Sequence, residues 1–106
     1  MAFKFEKLIV WQRSLELTDR IHHLANRFPK EEVYVLSAQL RRSADSIVLN
    51  VAEGSTGQTN AEFKRFITYA IRSDIELVAG LFIARKRRYL EEEEFRDFYS
   101  NVKKYF

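Results

Sequence analysis

The sequence predicts a single all-α domain spanning residues 1–106, folded as an antiparallel up-down-up-down four-helix bundle. One proline and three glycines leave few turn signals, which argues against a loop-rich or all-β chain. Apolar residues recur at spacings of three and four along four segments, as they do on one face of an α-helix. The connections between these segments are short, so neighbouring helices are expected to run antiparallel.

The first predicted helix covers about residues 7–28 and ends at Pro29, which breaks helices. Its expected core face is a central stripe of residues, widened by a second apolar stripe beside it. The central stripe is Leu8, Trp11, Leu15, Thr18, His22 and Ala25, and the widening residues are Leu17, Ile21, Leu24 and Phe28.

The second helix is expected to begin between residues 30 and 37, where Ser37 is one candidate for the N-cap. It is expected to end at Glu53, with Gly54 as the glycine that follows the last turn. Its polar side carries a row of hydrogen-bonding groups instead of the Lys, Glu and Ala of a solvated face. That row is Gln39, Arg42, Ser46, Asn50 and Glu53.

The third helix follows the short loop 55–58, opens with the capping box of Thr59 and Glu62, and extends to about Arg88. Its apolar residues fill an arc of about 180°, wider than one bundle contact needs. This width predicts a second buried contact and hence a homo-oligomer, although a fully buried central helix or exposed aromatics would give the same pattern. The fourth helix is expected at about residues 91–105.

Composition excludes several classes of protein. The chain has no cysteine, which excludes disulfides and thiolate metal sites. It has neither a signal-peptide pattern nor the roughly 18 apolar residues of a membrane span, so a cytoplasmic protein without membrane contact is expected. Its 18 basic and 15 acidic side chains give a net charge of +3, which favours an anionic partner only weakly.

The polar faces of the second and third helices are expected to meet. On the third helix this face is Arg65, Tyr69, Arg72, Ser73 and Glu76. The register predicts an ion pair between Arg42 and Glu76, joined by a hydrogen-bond network within or between subunits. Besides Arg42 and Glu76, the network would include Gln39, Ser46, Asn50, Glu53 and Ser73. The alternative is a groove for a ligand or a nucleic acid.

Two titratable residues fall within apolar faces, His22 on the first helix and Asp74 on the third. Both lie near the middle of the bundle, and a buried aspartate needs a partner, so they are expected to meet across the core. Dinuclear metal sites in bundles need two Glu-x-x-His motifs, and only residues 19–22 approximate one, so no metal is expected.

Basic residues form two outer stripes. Arg13, Arg20 and Arg27 recur every seven residues on the first helix, while Arg65, Arg72 and Lys86 follow the third. Such stripes can follow a phosphate backbone, although a solvated face is the plainer interpretation. The basic run 85–88 and the acidic run 91–94 each suit their helix end, and anion binding by the basic corner is the alternative.

No constellation typical of an enzyme is present. The sequence contains no nucleophile–base pair, no glycine-rich phosphate loop and no cluster of metal ligands. We therefore expect neither catalytic activity nor a cofactor.

Five short segments carry a family pattern. They are Val10-Trp-Gln-Arg13, Gln39-Leu-Arg-Arg42, Ser46-Ile47, Asn50-Val-Ala-Glu-Gly54 and Ser73 to Leu77. Together they resemble the bacterial four-helix-bundle proteins. That family includes the proteins encoded in intervening sequences of large-subunit ribosomal RNA genes, and the accessory variability proteins of diversity-generating retroelements.

The resemblance implies a bundle that assembles into a homopentameric ring. For the retroelement members it also implies binding to RNA or DNA and to a partner reverse transcriptase. One departure is Arg72, because the family commonly has glycine just before the serine of the third helix. The positions that match the family motifs are Gln39, Arg41, Arg42, Ser46, Asn50, Glu53, Gly54, Ser73 and Glu76.

The function expected from residues and resemblance together is that of a non-enzymatic, oligomeric protein that binds nucleic acid, as accessory to a reverse transcriptase in a diversity-generating retroelement. The candidate nucleic-acid contacts are Arg13, Arg20, Arg27, Arg41, Arg65, Arg72 and Lys86. Two alternatives remain open. One is a protein encoded in an rRNA intervening sequence, and the other is a protein-interaction scaffold that binds no nucleic acid.

Overall fold

The computed structural model describes residues 3–56 and 59–103, and this part of the chain is all-helical. Short 3-10 turns at Lys4–Lys7 and Lys30–Glu32 precede the first two α-helices. The four α-helices are α1 (Ile9–Asn26), α2 (Leu36–Gly54), α3 (Asn60–Lys86) and α4 (Glu92–Lys103). The predicted loop residues 57 and 58 and the predicted helical residues 104 and 105 lie outside the described ranges. The predicted all-α class with four helices is confirmed.

Buried apolar side chains from all four helices form one core. Helix α2 packs against both α1 and α3, and α4 packs against α3. Ile21, Leu40, Leu81 and Val102, one from each helix, are fully buried in this core. None of the described helices is both long enough and apolar enough to cross a membrane.

Helix α1 buries the widening stripe and, of the central stripe, Ala25, so its core face is rotated from the one expected. The predicted widening residues, such as Leu17 and Ile21, are buried, whereas Leu15 of the predicted central stripe is 46% exposed. The two stripes are adjacent on the helix. The stripe that contains Ile21 faces inward, because its side chains pack fully against the other helices. Leu15, Thr18 and His22 are left on the outer side of α1.

Glycine permits a close approach between α2 and α3 at two levels. A Cβ atom on Gly80 would overlap Cδ2 of Leu40, and one on Gly54 would lie 3.1 Å from Cβ of Phe66. Gly54 is the last residue of α2 and does not adopt a left-handed conformation, so its predicted position beyond the helix is wrong. The predicted cap at Thr59 is confirmed, since its Oγ1 accepts a hydrogen bond from the backbone N–H of Glu62 at 3.0 Å.

Charged side chains connect α4 to α1. Arg20 forms an ion pair with Asp97, and its guanidinium lies 4.4 Å from the centre of the Phe98 ring. Arg27 Nη2 lies 2.6 Å from Glu94 Oε1. Helix α4 therefore lies beside α1 as well as α3, and the helices follow one another around the bundle in chain order.

At one end of the bundle, Glu32 joins the segment before α2 to the segment after α3. Its Oε2 accepts hydrogen bonds from Arg87 Nη1 and from the Tyr89 hydroxyl, both at 2.8 Å. The Tyr89 hydrogen bond is the main cause that lowers the pKa of the Glu32 carboxyl below 4.5, and the Arg87 charge adds to it against the opposing effect of burial.

We expect Glu32→Gln to lower the free energy of unfolding at pH 7 and to flatten its decline in acid. A carboxyl whose pKa is lower in the folded state stabilises the fold above pH 4.5, and that contribution is lost as the pH falls through the folded value. Urea unfolding between pH 3 and 7 measures the effect. Exposed Glu31 provides the control, because Glu31→Gln should leave both quantities nearly unchanged. Equal effects of the two substitutions would contradict this role of Glu32.

Candidate assembly and nucleic-acid surfaces

The polar faces of α2 and α3 meet within one chain. The Ser73 hydroxyl donates to Ser46 Oγ at 2.8 Å, and Asn50 Nδ2 donates to the same oxygen at 3.0 Å. Nearer the start of α2, Glu76 Oε1 accepts a hydrogen bond from Gln39 Nε2 at 3.4 Å. Arg42 Nη2 lies 3.8 Å from that oxygen, in the pairing that the register predicts.

These contacts bring together six of the seven residues predicted for the polar network. Glu53 is the exception, because it is exposed at the end of α2 and lines an apolar pocket with Phe3 and Phe5. The remaining six connect two helices of the same chain, and several of them are only partly exposed. Their arrangement therefore serves to hold α2 against α3.

The predicted pairing of His22 with Asp74 is wrong within one chain. His22 Nε2 instead lies 3.2 Å from Asp45 Oδ1, and the Thr18 hydroxyl donates to the same oxygen at 2.6 Å. The cause is the rotation of α1, which turns Thr18 and His22 towards its outer seam with α2. Asp74 lies on another side of the bundle, between α3 and α4.

Asp74 lies in an outer groove of about 510 Å³ between α3 and α4. Its Oδ1 is buried and has no hydrogen-bond partner among the described residues, and the residue is only 9% exposed. Burial raises the pKa of the Asp74 carboxyl from its ordinary 3.8 to about 6. The groove, called the α3–α4 groove below, is lined by Ile71, Asp74, Ile75, Val78, Ala79, Phe82, Tyr99 and Lys103.

The walls of the α3–α4 groove are apolar and open to solvent. Ile75 is 64% exposed and Phe82 is 43% exposed. Phe82 packs edge-on against Phe95 and Tyr99, with ring centres 4.9 and 6.1 Å away, which holds α4 against this part of α3. Exposed apolar side chains in one contiguous groove are typical of an interaction surface.

The basic stripe of α1 is largely neutralised by other groups of the chain. Arg20 and Arg27 form the ion pairs with α4 described above. Arg13 also has an interaction partner. Arg41, on α2, donates from Nη2 to the side-chain oxygen of Asn26 at 2.6 Å. Arg20 and Arg27 therefore offer less unbalanced positive charge than the sequence suggested, whereas Asn26 is neutral and leaves the charge of Arg41 unbalanced.

The basic stripe of α3 differs from that of α1. Arg65, Arg72 and Lys86 are exposed, and within residues 3–56 and 59–103 none of them has an acidic oxygen within 4.0 Å. The Arg65 guanidinium lies 4.9 Å from the centre of the Phe66 ring. We call these three residues the α3 basic stripe, which adjoins the α3–α4 groove along the same helix.

Intramolecular pairs also account for much of the charge at the turn between α3 and α4. Arg85 Nη1 lies 3.3 Å from Glu92 Oε1, and Arg87 pairs with Glu32. Arg96 Nε lies 3.3 Å from the same Glu92 oxygen. Arg85 and Glu92 thus join the basic run 85–88 to the acidic run 91–94, and this contact needs no bound anion.

Periodic patterns in the sequence do not reveal Asp45 and Glu32, although each carries the main contacts of its region. Neither residue belongs to a stripe, and each has partners on other elements of the chain. Their only signal is that a carboxylate on a partly buried surface requires donors. Among the described residues, no group of three His, Cys, Asp or Glu side chains is placed to hold a metal ion.

Sequence comparison provides the family. The model of the family described as 23S rRNA-intervening sequence protein matches residues 6–105. The chain belongs to that family. This match confirms the family resemblance predicted from residues 10–77. No protein in a search of the curated proteins matches the sequence.

A solved structure supports the same family fold. It is the crystal structure of a protein of unknown function from the S23 ribosomal protein family of Bacteroides thetaiotaomicron. The two chains are 26% identical and superpose with a TM-score of 0.84, over 92% of this chain and 91% of the other. The family fold thus extends over nearly the whole of both chains.

Proposed function

We propose that this member of the family is a non-enzymatic homo-oligomer that binds nucleic acid through the α3 basic stripe. The observation that carries the proposal is the absence of acidic partners around Arg65, Arg72 and Lys86 within the described residues. Basic side chains that are not paired with a carboxylate remain available for phosphate oxygens, whereas Arg20 and Arg27 of α1 would first have to leave their acidic partners.

The proposed assembly is a homopentameric ring of antiparallel up-down-up-down bundles. Contacts between α2 and α3 occur in reverse order along the two helices, from Gly54 beside Phe66 to Leu40 beside Gly80, which supports the antiparallel arrangement. The open α3–α4 groove supports self-association, because burying its exposed apolar walls would be favourable. The ring form and the number five rest on the family resemblance.

Assembly would strengthen nucleic-acid binding. One chain has a net charge of only +3, but five chains together carry +15. Five copies of the α3 basic stripe around one axis would create a positive field far stronger than that of a monomer, and such a field attracts a polyanion over longer distances. The modest charge of the isolated chain is therefore compatible with RNA or DNA as the partner.

Within this proposal the protein acts as an accessory to a reverse transcriptase of a diversity-generating retroelement. The family name points to the alternative, a protein encoded within an rRNA intervening sequence. A protein-interaction scaffold is the third candidate, and the α3–α4 groove is the feature that favours it. In that case the basic stripe would only keep the assembly in solution.

Salt-dependent binding tests the nucleic-acid part of the proposal. Fluorescence anisotropy with labelled RNA and DNA, single-stranded and duplex, should show affinity falling by roughly 10³-fold or more between 50 and 200 mM salt if six or more phosphates are contacted. Absence of binding at the lowest salt would leave the scaffold as the better function. Native mass spectrometry tests the assembly, with five chains of 12.6 kDa as the expected particle and a monomer as the contrary result.

A further inference from the structure

We propose that the α3–α4 groove receives the outer face of α1 from a second copy of this chain, with the partner subunit's His22 contacting Asp74. This inference deepens the proposed assembly and rests on it. It assigns a head-to-tail contact in which each subunit presents two different surfaces. Contacts of this type close into rings when the rotation between neighbours is suitable.

The two surfaces lie on opposite sides of the bundle. Helix α2 packs on α1 and α3, and α4 lies against α3 and, through Arg20 and Arg27, against α1. In this order the seam between α1 and α2 faces away from the groove between α3 and α4. A ring subunit needs such an arrangement, because its two neighbours lie on opposite sides.

The two surfaces also share one level along the bundle. His22 contacts Asp45, which is the neighbour of Ser46 in α2. Ser46 in turn contacts Ser73, the neighbour of Asp74 in α3. One residue along a helix is a rise of only 1.5 Å, so this chain of contacts crosses the molecule nearly perpendicular to the helices. Rotation about an axis parallel to the bundle preserves height, and it would therefore place His22 of one copy opposite Asp74 of the next.

The chemistry of the two surfaces is complementary. The groove has apolar walls and one buried acceptor, Asp74 Oδ1, which has no donor among the described residues. The outer face of α1 offers an exposed Leu15 and the His22 ring, whose second nitrogen, Nδ1, makes no hydrogen bond within the described residues. A single proton shared between Nδ1 and the carboxyl group would link the two side chains, whichever of them holds it.

A second pair of charges strengthens the match. Asp19 lies one turn before His22 on the outer side of α1, where its side chain is 76% exposed and its Oδ2 lies 3.8 Å from His23 Nδ1. Lys103 lies in the lining of the α3–α4 groove, with Nζ 6.0 Å from the centre of the Tyr99 ring. Docking of α1 in the groove would bring this acid towards the lysine. Complementary charge of this type selects a partner and orients it.

Mixing two variants tests the head-to-tail contact. Leu15→Glu blocks the α1 face and Ile75→Glu blocks the groove, and both positions are exposed enough to accept the change without unfolding. Neither variant alone should associate in native mass spectrometry. A mixture should form a 1:1 dimer and nothing larger, since only one contact remains intact.

The result that overturns the inference is normal assembly of either variant alone. Assembly of Leu15→Glu would mean that the contact between subunits does not use the outer face of α1, and assembly of Ile75→Glu would mean that it does not use the groove. A wild-type monomer would overturn the inference and the proposed assembly together. A wild-type oligomer combined with failure of the mixed dimer would overturn this inference alone.

The same mixture isolates the contact between His22 and Asp74. In the dimer, only the α1 face of the Ile75→Glu chain and only the groove of the Leu15→Glu chain are used. His22→Ala placed in the Ile75→Glu chain should weaken the dimer about tenfold, whereas in the Leu15→Glu chain it should have no effect. Asp74→Ala should behave in the opposite way, weakening the dimer only when placed in the Leu15→Glu chain. Equal weakening from both placements would mean that the residue acts only on the fold, and would overturn the assigned contact.

Discussion

Replacement of Arg65, Arg72 and Lys86 together by glutamine is expected to lower the affinity for RNA or DNA at low salt by roughly a hundredfold or more. Each phosphate contact that is lost means that fewer counterions are released on binding, so the salt dependence of the affinity should also become less steep. Fluorescence anisotropy over a salt series measures both effects. Circular dichroism confirms that the variant is folded, as expected for three exposed positions.

The matched control is the double substitution of Arg20 and Arg27 by glutamine on α1. These side chains are already paired with Asp97 and Glu94, so their loss should change affinity by only a few-fold. Loss of binding in the α1 variant, with binding retained in the α3 variant, would contradict this prediction. It would indicate that nucleic acid binds the face formed by α1 and α4.

Ile47→Ala is expected to lower the free energy of unfolding by about 2–5 kcal/mol. Ile47 lies on α2, which packs against both neighbouring helices, and its side chain is fully buried in the core. Truncation removes buried apolar surface and leaves a cavity that three packed helices cannot easily close. Urea unfolding at a fixed protein concentration measures the loss.

The control for this prediction lies two residues further along the same helix. Leu49 is 61% exposed, and Leu49→Ala should change the free energy of unfolding by no more than about 0.5 kcal/mol. Comparable losses at both positions would mean that Leu49 is covered in the folded assembly. A small loss at Ile47 would mean that the core is more adaptable than its packing indicates.

Local sequence patterns were sufficient for the helices and for part of the network between them. Apolar spacing located α1 to α4 to within a few residues, because periodicity and capping act over single turns. The pairing of Arg42 with Glu76 followed from register, since the short connection leaves little freedom in how α2 and α3 align.

Contacts that depend on how each helix is rotated about its axis could not be predicted from the sequence. Helix α1 has two adjacent apolar stripes, and only packing against its neighbours decides that Ile21 faces inward while His22 faces the seam. The partners of Asp45 and Glu32 are likewise distant along the chain and follow no period. The same limit applies to the basic stripes, because which arginines remain unpaired depends on where the acids of α4 lie.

The packing of α2 between α1 and α3 has a kinetic consequence. The dominant contacts join helices that are neighbours along the chain, and each such pair can form as a separate helical hairpin. Folds dominated by contacts of this kind reach the native state in roughly microseconds to milliseconds. Association of subunits is slower and depends on concentration. The rate at which the proposed ring appears after synthesis would then be governed by encounters between folded subunits, and would rise with the amount of protein in the cell.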